Sequence, residues 1–199
     1  MIAAARSLAG SILGIAAMAI SIAPPATAQP ASDAANQATS LRNGHHDFDW
    51  EIGNWATHVR VLRNPLTGAA PDWAEFRGTS IVKPILGGRA NSVELSVKNG
   101  KGAIEGVSLR LYNPQSRQWS LNYASVRGGT MTAPAYGGFD GKGRGLFYGQ
   151  DMLEGRAIWI RFVITVVSAN EARFEQSYSA DAGATWETNW IAVDTRTPS

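Results

Sequence analysis

The feature that most constrains this chain is a series of short β-like runs separated by turn signals about every ten residues. Beyond residue 45 no stretch has the three- to four-residue periodicity of a long helix. The pattern therefore predicts an all-β domain of about nine strands. The predicted strands are residues 55–62, 75–82, 89–97, 104–112, 119–125, 145–150, 157–167, 172–179 and 186–194, with a ragged Gly-rich pair of strands in 130–145.

The connections between these runs are short, and this decides how the strands are ordered. Asn99-Gly100 is a strong hairpin signal. Residues 179–186 fit the S-x-D-x-G-x-T-W pattern called an Asp-box, a turn in which the Asp bonds the backbone amides. Short links favour pairing between neighbouring strands, so we expect an antiparallel up-and-down β-barrel. A β-sandwich is the alternative.

The N-terminus has the features of a signal peptide. Arg6 supplies a positive charge, residues 8–22 are apolar, and Ala26-Thr27-Ala28 is a small-x-small cleavage site. We therefore expect a signal peptide at 1–28, a flexible linker at 29–44 that is rich in Ala, Ser, Asn and Gln, and a barrel domain at 45–196. The protein would be exported, to the periplasm or outside the cell. An uncleaved anchor is the alternative.

Composition excludes several classes of function. The chain has no cysteine, which excludes disulfides, zinc-thiolate sites and a cysteine nucleophile. Lys and Arg are scattered, which argues against a nucleic-acid partner and, after signal cleavage, against a membrane partner. Seven Trp are many for a domain of this size. The sequence does not set the oligomeric state, and a dimer is one option.

The opening stretch of the domain, residues 45–55, concentrates aromatic, acidic and imidazole side chains just before the first strand. We expect it to form a short plug in which Phe48, Trp50 and Trp55 cover one end of the barrel. Its acidic residues would then cap backbone amides or pair with Arg.

Several motifs together resemble an uncharacterised bacterial family that is described only as a domain of unknown function. The resemblance extends over roughly residues 45–196 and implies a calycin-like (lipocalin-like) barrel, with no activity attached. The matching segments are HDFD (46–49), GNW (53–55), LTG (66–68), GRAN (88–91), SLRLYNP (108–114), QWSLN (118–122), GRA (155–157), RFVI (161–164), RFEQ (173–176), TWE (185–187) and NW (189–190).

Alternate residues of a barrel strand point inward, so a mixed face marks a candidate polar lumen. The face that carries polar residues among apolar neighbours predicts a ligand-binding set of Arg110, Asn122, Arg161, Gln176, Asn189 and Trp159. If Arg and Glu pair inside the lumen, they would bind a carboxylate or a phenol. The competing interpretation is that this face meets solvent, because alternation alone does not say which face is inside.

His58 is the best candidate for a general base, since it is the one His on a predicted strand. Glu94 is its predicted catalytic partner. A metal site formed by His45, His46 and either Asp47 or Asp49 is conceivable, but the spacing matches no metal motif. We therefore expect no metal and no cofactor.

These observations favour a barrel that binds a small amphipathic or aromatic ligand, with an anionic ligand as one option. The alternative is a cofactor-independent enzyme of the isomerase, cyclase or lyase type that uses polar groups in the same cavity. A third hypothesis is an interaction protein with Trp on its outer surface.

Overall fold

A computed structural model describes residues 43–198 and contains one closed antiparallel barrel of ten strands. The strands are β1 (Gly53–Leu62), β2 (Trp73–Ile85), β3 (Ala90–Asn99), β4 (Gly102–Asn113), β5 (Gln118–Ser125), β6 (Ala135–Phe139), β7 (Arg144–Leu153), β8 (Arg156–Ser168), β9 (Glu171–Ser179) and β10 (Glu187–Arg196). Each strand pairs with the next, and β1 pairs with β10 to close the barrel. The predicted up-and-down barrel is confirmed.

The tenth strand arises from the Gly-rich stretch, where β6 forms a short ladder between β5 and β7. Glycine allows the backbones to approach there, since a Cβ on Gly137 would lie 2.0 Å from the carbonyl oxygen of Leu146. The low density of side chains explains why the sequence pattern predicted only a ragged pair of strands here.

The register fixes which side chains enter the lumen. In β8 the apolar series Ile158, Ile160, Phe162 and Ile164 faces inward, as the 2% and 0% exposure of Ile158 and Ile164 show. Direct cross-strand partners share a face, so each pairing extends the assignment to the next strand. Followed around the closed sheet, this rule assigns every paired strand residue to the lumen or to the outside.

Residues 44–51 form the predicted plug at one end of the barrel. Two short 3₁₀ turns, Gly44–His46 and Asp49–Glu51, bring the side chain of Phe48 into the core, where it is 1% exposed. The indole N–H of Trp119 donates to the carbonyl of Gly44 at 2.8 Å. Buried Trp55 donates in the same way to the carbonyl of Glu51 at 2.7 Å. The plug is therefore bonded to the barrel as well as packed against it.

Arg196, at the end of β10, also bonds to the plug. The Arg196 guanidinium donates to the carbonyl oxygens of Ile52, at 2.9 Å, and Trp50, and it lies 4.2 Å from the ring centre of Trp55. Gly53 has φ +131°, and a Cβ there would lie 2.7 Å from a guanidinium nitrogen of Arg196. A glycine is thus required where the plug turns into β1.

The Asp-box forms the predicted turn between β9 and β10. The Asp181 carboxylate accepts hydrogen bonds from the Thr185 amide at 2.9 Å and from the Ser179 hydroxyl at 2.7 Å. The Thr185 side chain, through its hydrogen bonds, lowers the pKa of Asp181 to about 2, with smaller contributions from Ser179. Gly183 takes φ +91°, as the motif requires. The predicted turn chemistry is confirmed.

The predicted signal peptide and nearly all of the linker lie outside the described residues. Between residues 43 and 198, no helix has the length and apolar character needed to cross a membrane.

We expect Trp55→Ala to lower the free energy of unfolding by about 3–5 kcal/mol, because it leaves a cavity under the plug and removes a buried hydrogen bond. Trp159→Ala is the matched control, since Trp159 is 39% exposed on the outer face; its effect should be below about 1 kcal/mol. Urea unfolding followed by far-ultraviolet circular dichroism measures both. Equal losses in the two variants would mean that the plug does not stabilise the barrel.

Candidate functional site

The lumen has two halves that differ in solvent exposure. Near the plug the inward side chains are sealed, with Val59, Phe147 and Ile164 at 0% exposure. Towards the other end, which carries the loops 63–72, 126–134 and 180–186, several inward side chains are only partly buried, although Val97 and Ile158 are fully buried there. These partly buried side chains are Phe76, Leu95, Leu121, Tyr123, Phe162, Gln176, Tyr178 and Trp190. The lumen is therefore a cup, closed at the plugged end and accessible from the open end.

A buried ion pair forms the floor of this cup. The Arg110 guanidinium contacts the carboxylate of Glu51, and their side chains are 7% and 2% exposed. The guanidinium also lies 4.4 Å from the ring centre of Phe48. Burial lowers the pKa of Arg110 to about 9, while the charge of Asp194 raises it, so the side chain is a cation at neutral pH.

Asp194 is the second carboxylate of the floor. It pairs across the sheet with Thr57, whose hydroxyl lies 2.8 Å from that of Ser80, and all three are buried. Burial raises the pKa of Asp194 to about 6, against smaller lowering effects from the Thr57 hydrogen bond and the Arg110 charge. The floor thus holds one cation between two carboxylates.

This arrangement corrects the prediction that Arg110 provides an anion site in the lumen. Arg110 does face inward, but Glu51 occupies its guanidinium, and the charge of Asp194 acts on it as well. An incoming carboxylate would have to displace Glu51 from a buried ion pair, which would leave a buried charge without its partner.

The wall of the open half carries a polar group of three residues. Gln176 and Tyr178 face inward on β9. A bulge in β10 between Thr188 and Trp190 inserts Asn189, whose amide reaches the hydroxyl of Tyr178. Burial first, and then the charge of Asp151, raise the pKa of Tyr178; the Asn189 and Gln176 amides partly offset this. The structure thus brings together two of the predicted residues, Gln176 and Asn189.

Three other predicted lumen residues lie on the outer face. Asn122 is next to inward Leu121, and its amide donates to the Leu109 carbonyl at 3.0 Å. Arg161 lies 4.6 Å from the ring centre of Trp186, and Trp159 is 39% exposed on the same face. The predicted lumen positions of these three residues are wrong. The apolar face of β8 points inward, which puts Trp159 and Arg161 outside, and the β4–β5 register turns Leu121 inward and Asn122 outward.

The two predicted catalytic residues are also outside. The His58 imidazole lies 3.1 Å from the Glu75 carboxylate, across the β1–β2 ladder on the outer face. Glu94 is 3.5 Å from the ammonium of Lys83, with both side chains 60% exposed. The structure does not bring His58 and Glu94 together, so they cannot act jointly in the lumen.

The imidazoles of the plug do not assemble a metal site with its acids. His46 lies 2.8 Å from the carboxylate of Asp49, and the His45 ring packs against Tyr112. Within residues 43–198, no group of three or more His, Asp or Glu side chains is arranged to hold a metal ion.

A shallow cleft of about 200 Å³ lies at the plugged end. It is lined by Asp47, Trp50, Phe139, Gly141, Gly143 and Val166. Asp47 is its one charged group, and no set of polar side chains converges there. We therefore assign the candidate site to the lumen.

Sequence reasoning missed Asp194 and Glu51, although a signal was present for each. Asp194 has the same strand phase as Trp190 and Ala192, so it is a charged residue on an apolar face. Glu51 stands among the aromatic residues of the plug. Buried charges in apolar surroundings are rare unless they are paired, which makes this pattern a usable sign of a site.

Comparisons with known proteins support the fold. No protein-family model matches the chain, and no curated protein matches it. Among solved structures, the S-type phycobiliprotein lyase CPES from Guillardia theta is similar, with a TM-score of 0.54 and 10% identity over 82% of this chain and 97% of that one. At this identity the likeness shows the fold alone.

Two further structures match with lower scores. EF1p2_mFAP2b bound to DFHBI has a TM-score of 0.41 and 10% identity over 78% of this chain and all (100%) of that one. The ywiB protein of Bacillus subtilis has a TM-score of 0.33 and 9% identity over 73% of this chain and 93% of that one. The topology and the lumen define a calycin-like barrel.

We expect Asp194→Asn to become progressively more stable than the wild type as the pH rises from 4 to 7. The folded-state pKa of Asp194 is raised to about 6. Because the unfolded state ionises first, the penalty on the fold is absent below about pH 4, grows between about 4 and 6, and is complete above that. The gain over this window should be about 3 kcal/mol, measured by urea unfolding of both proteins at each pH. A difference that stays constant with pH would mean that Asp194 ionises in the fold at no cost.

Proposed function

We propose that this protein binds a small amphipathic or aromatic molecule in the open half of its barrel lumen. One observation carries the proposal: several inward-facing side chains of the open half are partly exposed, whereas Val59, Phe147 and Ile164 nearer the plug are fully buried. If side chains filled the lumen up to its open end, Phe162 and Trp190 would be as buried as Phe147.

The wall of the cup has the mixture of groups that ligand pockets use. Apolar surface comes from Phe76, Leu95, Phe162 and Trp190, while hydrogen-bonding groups are confined to a few positions such as Tyr178. A largely apolar pocket with few convergent polar groups favours an amphipathic ligand, because burial supplies affinity and the polar groups fix orientation.

The proposal includes export to the periplasm or to the outside of the cell. It is supported by the positive, apolar and small-residue segments within residues 1–28. The mature protein would then comprise the linker and the barrel domain at 45–196. Membership of the uncharacterised family is supported by the motifs quoted above.

The enzyme alternative would need different residues from those the sequence suggested. Among the described strand residues, none that faces the lumen is a His, so a carboxyl or a Tyr would have to move protons. The lumen carboxyls that act on an Arg are Glu51 and Asp194, and at 1% and 4% exposure both lie beneath the accessible part of the cup. The geometry therefore supports binding ahead of catalysis.

We expect Ser108→Trp to weaken binding of the neutral probe 1-naphthalenemethanol by at least about tenfold, because the indole would occupy the cup. Leu109→Trp is the matched control: Leu109 is the next residue of β4 and faces outward, so binding should be retained. Isothermal titration calorimetry measures both affinities, and circular dichroism confirms that each variant is folded.

Leu121→Trp repeats this test from the neighbouring strand β5, in case Ser108→Trp fails to fold. Mass spectrometry of protein purified without denaturation would identify a ligand carried from the cell. If the probe does not bind the wild type, or binds the lumen variants and the wild type equally, the lumen is not a binding site.

A further inference from the structure

We infer that the open half of the lumen selects an aromatic or amphipathic amine, a ligand that carries a positive charge. The inference rests on the proposed binding function and deepens it. It replaces the anionic option that the sequence suggested, and it depends on four features of the open half.

The first feature is a pair of acids beside Tyr178. Asp151 follows inward Phe147 in the same strand phase, pairs with Ile158 across β7 and β8, and is close enough to Tyr178 for its charge to act on the phenol. Glu187 is the direct cross-strand partner of Tyr178. One carboxylate oxygen of Glu187 accepts a hydrogen bond from the amide of Leu66, which anchors the loop at the rim. Two negative charges therefore flank one aromatic wall of the cup.

The second feature is the distribution of basic groups in the part of the lumen that the structure describes. Arg110 and Arg196 have inward phase, but both lie at the plugged end, where Glu51 and the plug carbonyls occupy them. Arg156 has the same phase as Ile158, yet it is exposed at the tip of the β7–β8 hairpin, beyond the last β8–β9 pair. Arg156 is thus the one base of inward phase in the described strands of the open half, and it is exposed at the rim.

The third feature is an unused acceptor. Asn189 is 5% exposed, and its side-chain oxygen has no hydrogen-bond partner among the described residues. The amide of Asn189 reaches the hydroxyl of Tyr178, which places it on the lumen side of β10. A buried acceptor without a partner is costly, so the site favours a molecule that brings a donor. An ammonium has three donors and no acceptor.

The fourth feature is the aromatic character of the same wall. The inward rings of Phe162, Tyr178 and Trp190 lie on the adjacent strands β8, β9 and β10. The face of an aromatic ring carries negative potential and attracts a cation, most strongly when water is excluded. The aromatic rings, the two carboxylates and the Asn189 oxygen therefore all favour a positively charged ligand.

Three probes that share one ring and differ in charge test this inference. They are 1-naphthylmethylamine, 1-naphthalenemethanol and 1-naphthaleneacetic acid, which at neutral pH are cationic, neutral and anionic. Titration calorimetry of the wild-type protein should give an affinity for the amine at least about tenfold above that for the alcohol, with the acid weakest. The double variant Asp151→Asn, Glu187→Gln should reduce the amine-to-alcohol ratio to about threefold or less.

Matched variants separate the causes. Glu94→Gln removes an acid from the outer face and should leave the ratio unchanged. Glu187 accepts a hydrogen bond from the Leu66 amide, so the double variant could unfold when this bond is lost. In that case the amine-to-alcohol affinity ratio is measured on the single variant Asp151→Asn. The amine assignment is overturned if the amine-to-alcohol affinity ratio is near one in the wild type, or if it is unchanged in the lumen variants. In either case the proposed binding function stands. Failure of all three probes to bind overturns the binding function itself.

Discussion

The structure depends on the contact between the plug and the barrel floor. Glu51, from the segment before β1, meets Arg110 of β4 in a place where neither side chain reaches water. A buried charge is tolerated only with its partner, so each residue fixes the position of the other. The indole bonds from Trp55 and Trp119 to plug carbonyls hold the same segment. Because this contact closes one end, only the other end can admit a ligand.

The same contact separates two regions of the lumen that differ in their charged groups, the floor and the open half. At the floor, one guanidinium lies between two carboxylates. Burial lowers the pKa of Arg110 and raises the pKa of Asp194, so it disfavours the charged form of both. In the open half the acids Asp151 and Glu187 share the lumen phase with one base of the described strands, Arg156, which is exposed at the tip of the β7–β8 hairpin. The ion pair of the floor therefore holds the plug on the barrel. The charges that an incoming ligand meets first are those of Asp151 and Glu187 in the wall of the open half.

The fold could be predicted from sequence because its signals are local. Turn residues, strand lengths and the Asp-box all follow from chemistry within about ten residues, and the aromatic plug is a single segment. The lumen residues could not be predicted as well, since a period of two has two phases and a binding barrel mixes polar and apolar groups on its inner face. Arg161 shows the difficulty: only pairing to β7 and β9 places it outside. Asn189 depends on a bulge, which shifts the phase within one strand.

Both ends of the described chain meet at the plugged end. Arg196 bonds to the plug, and the Thr197 amide donates to the carbonyl of Asn54 at 2.9 Å, beside the first residues of β1. Any tether joined before residue 43 or after residue 198 thus attaches to the base of the cup. Fusion to a surface, a resin or another domain at either terminus leaves the mouth pointing away from the attachment, with its loops unobstructed.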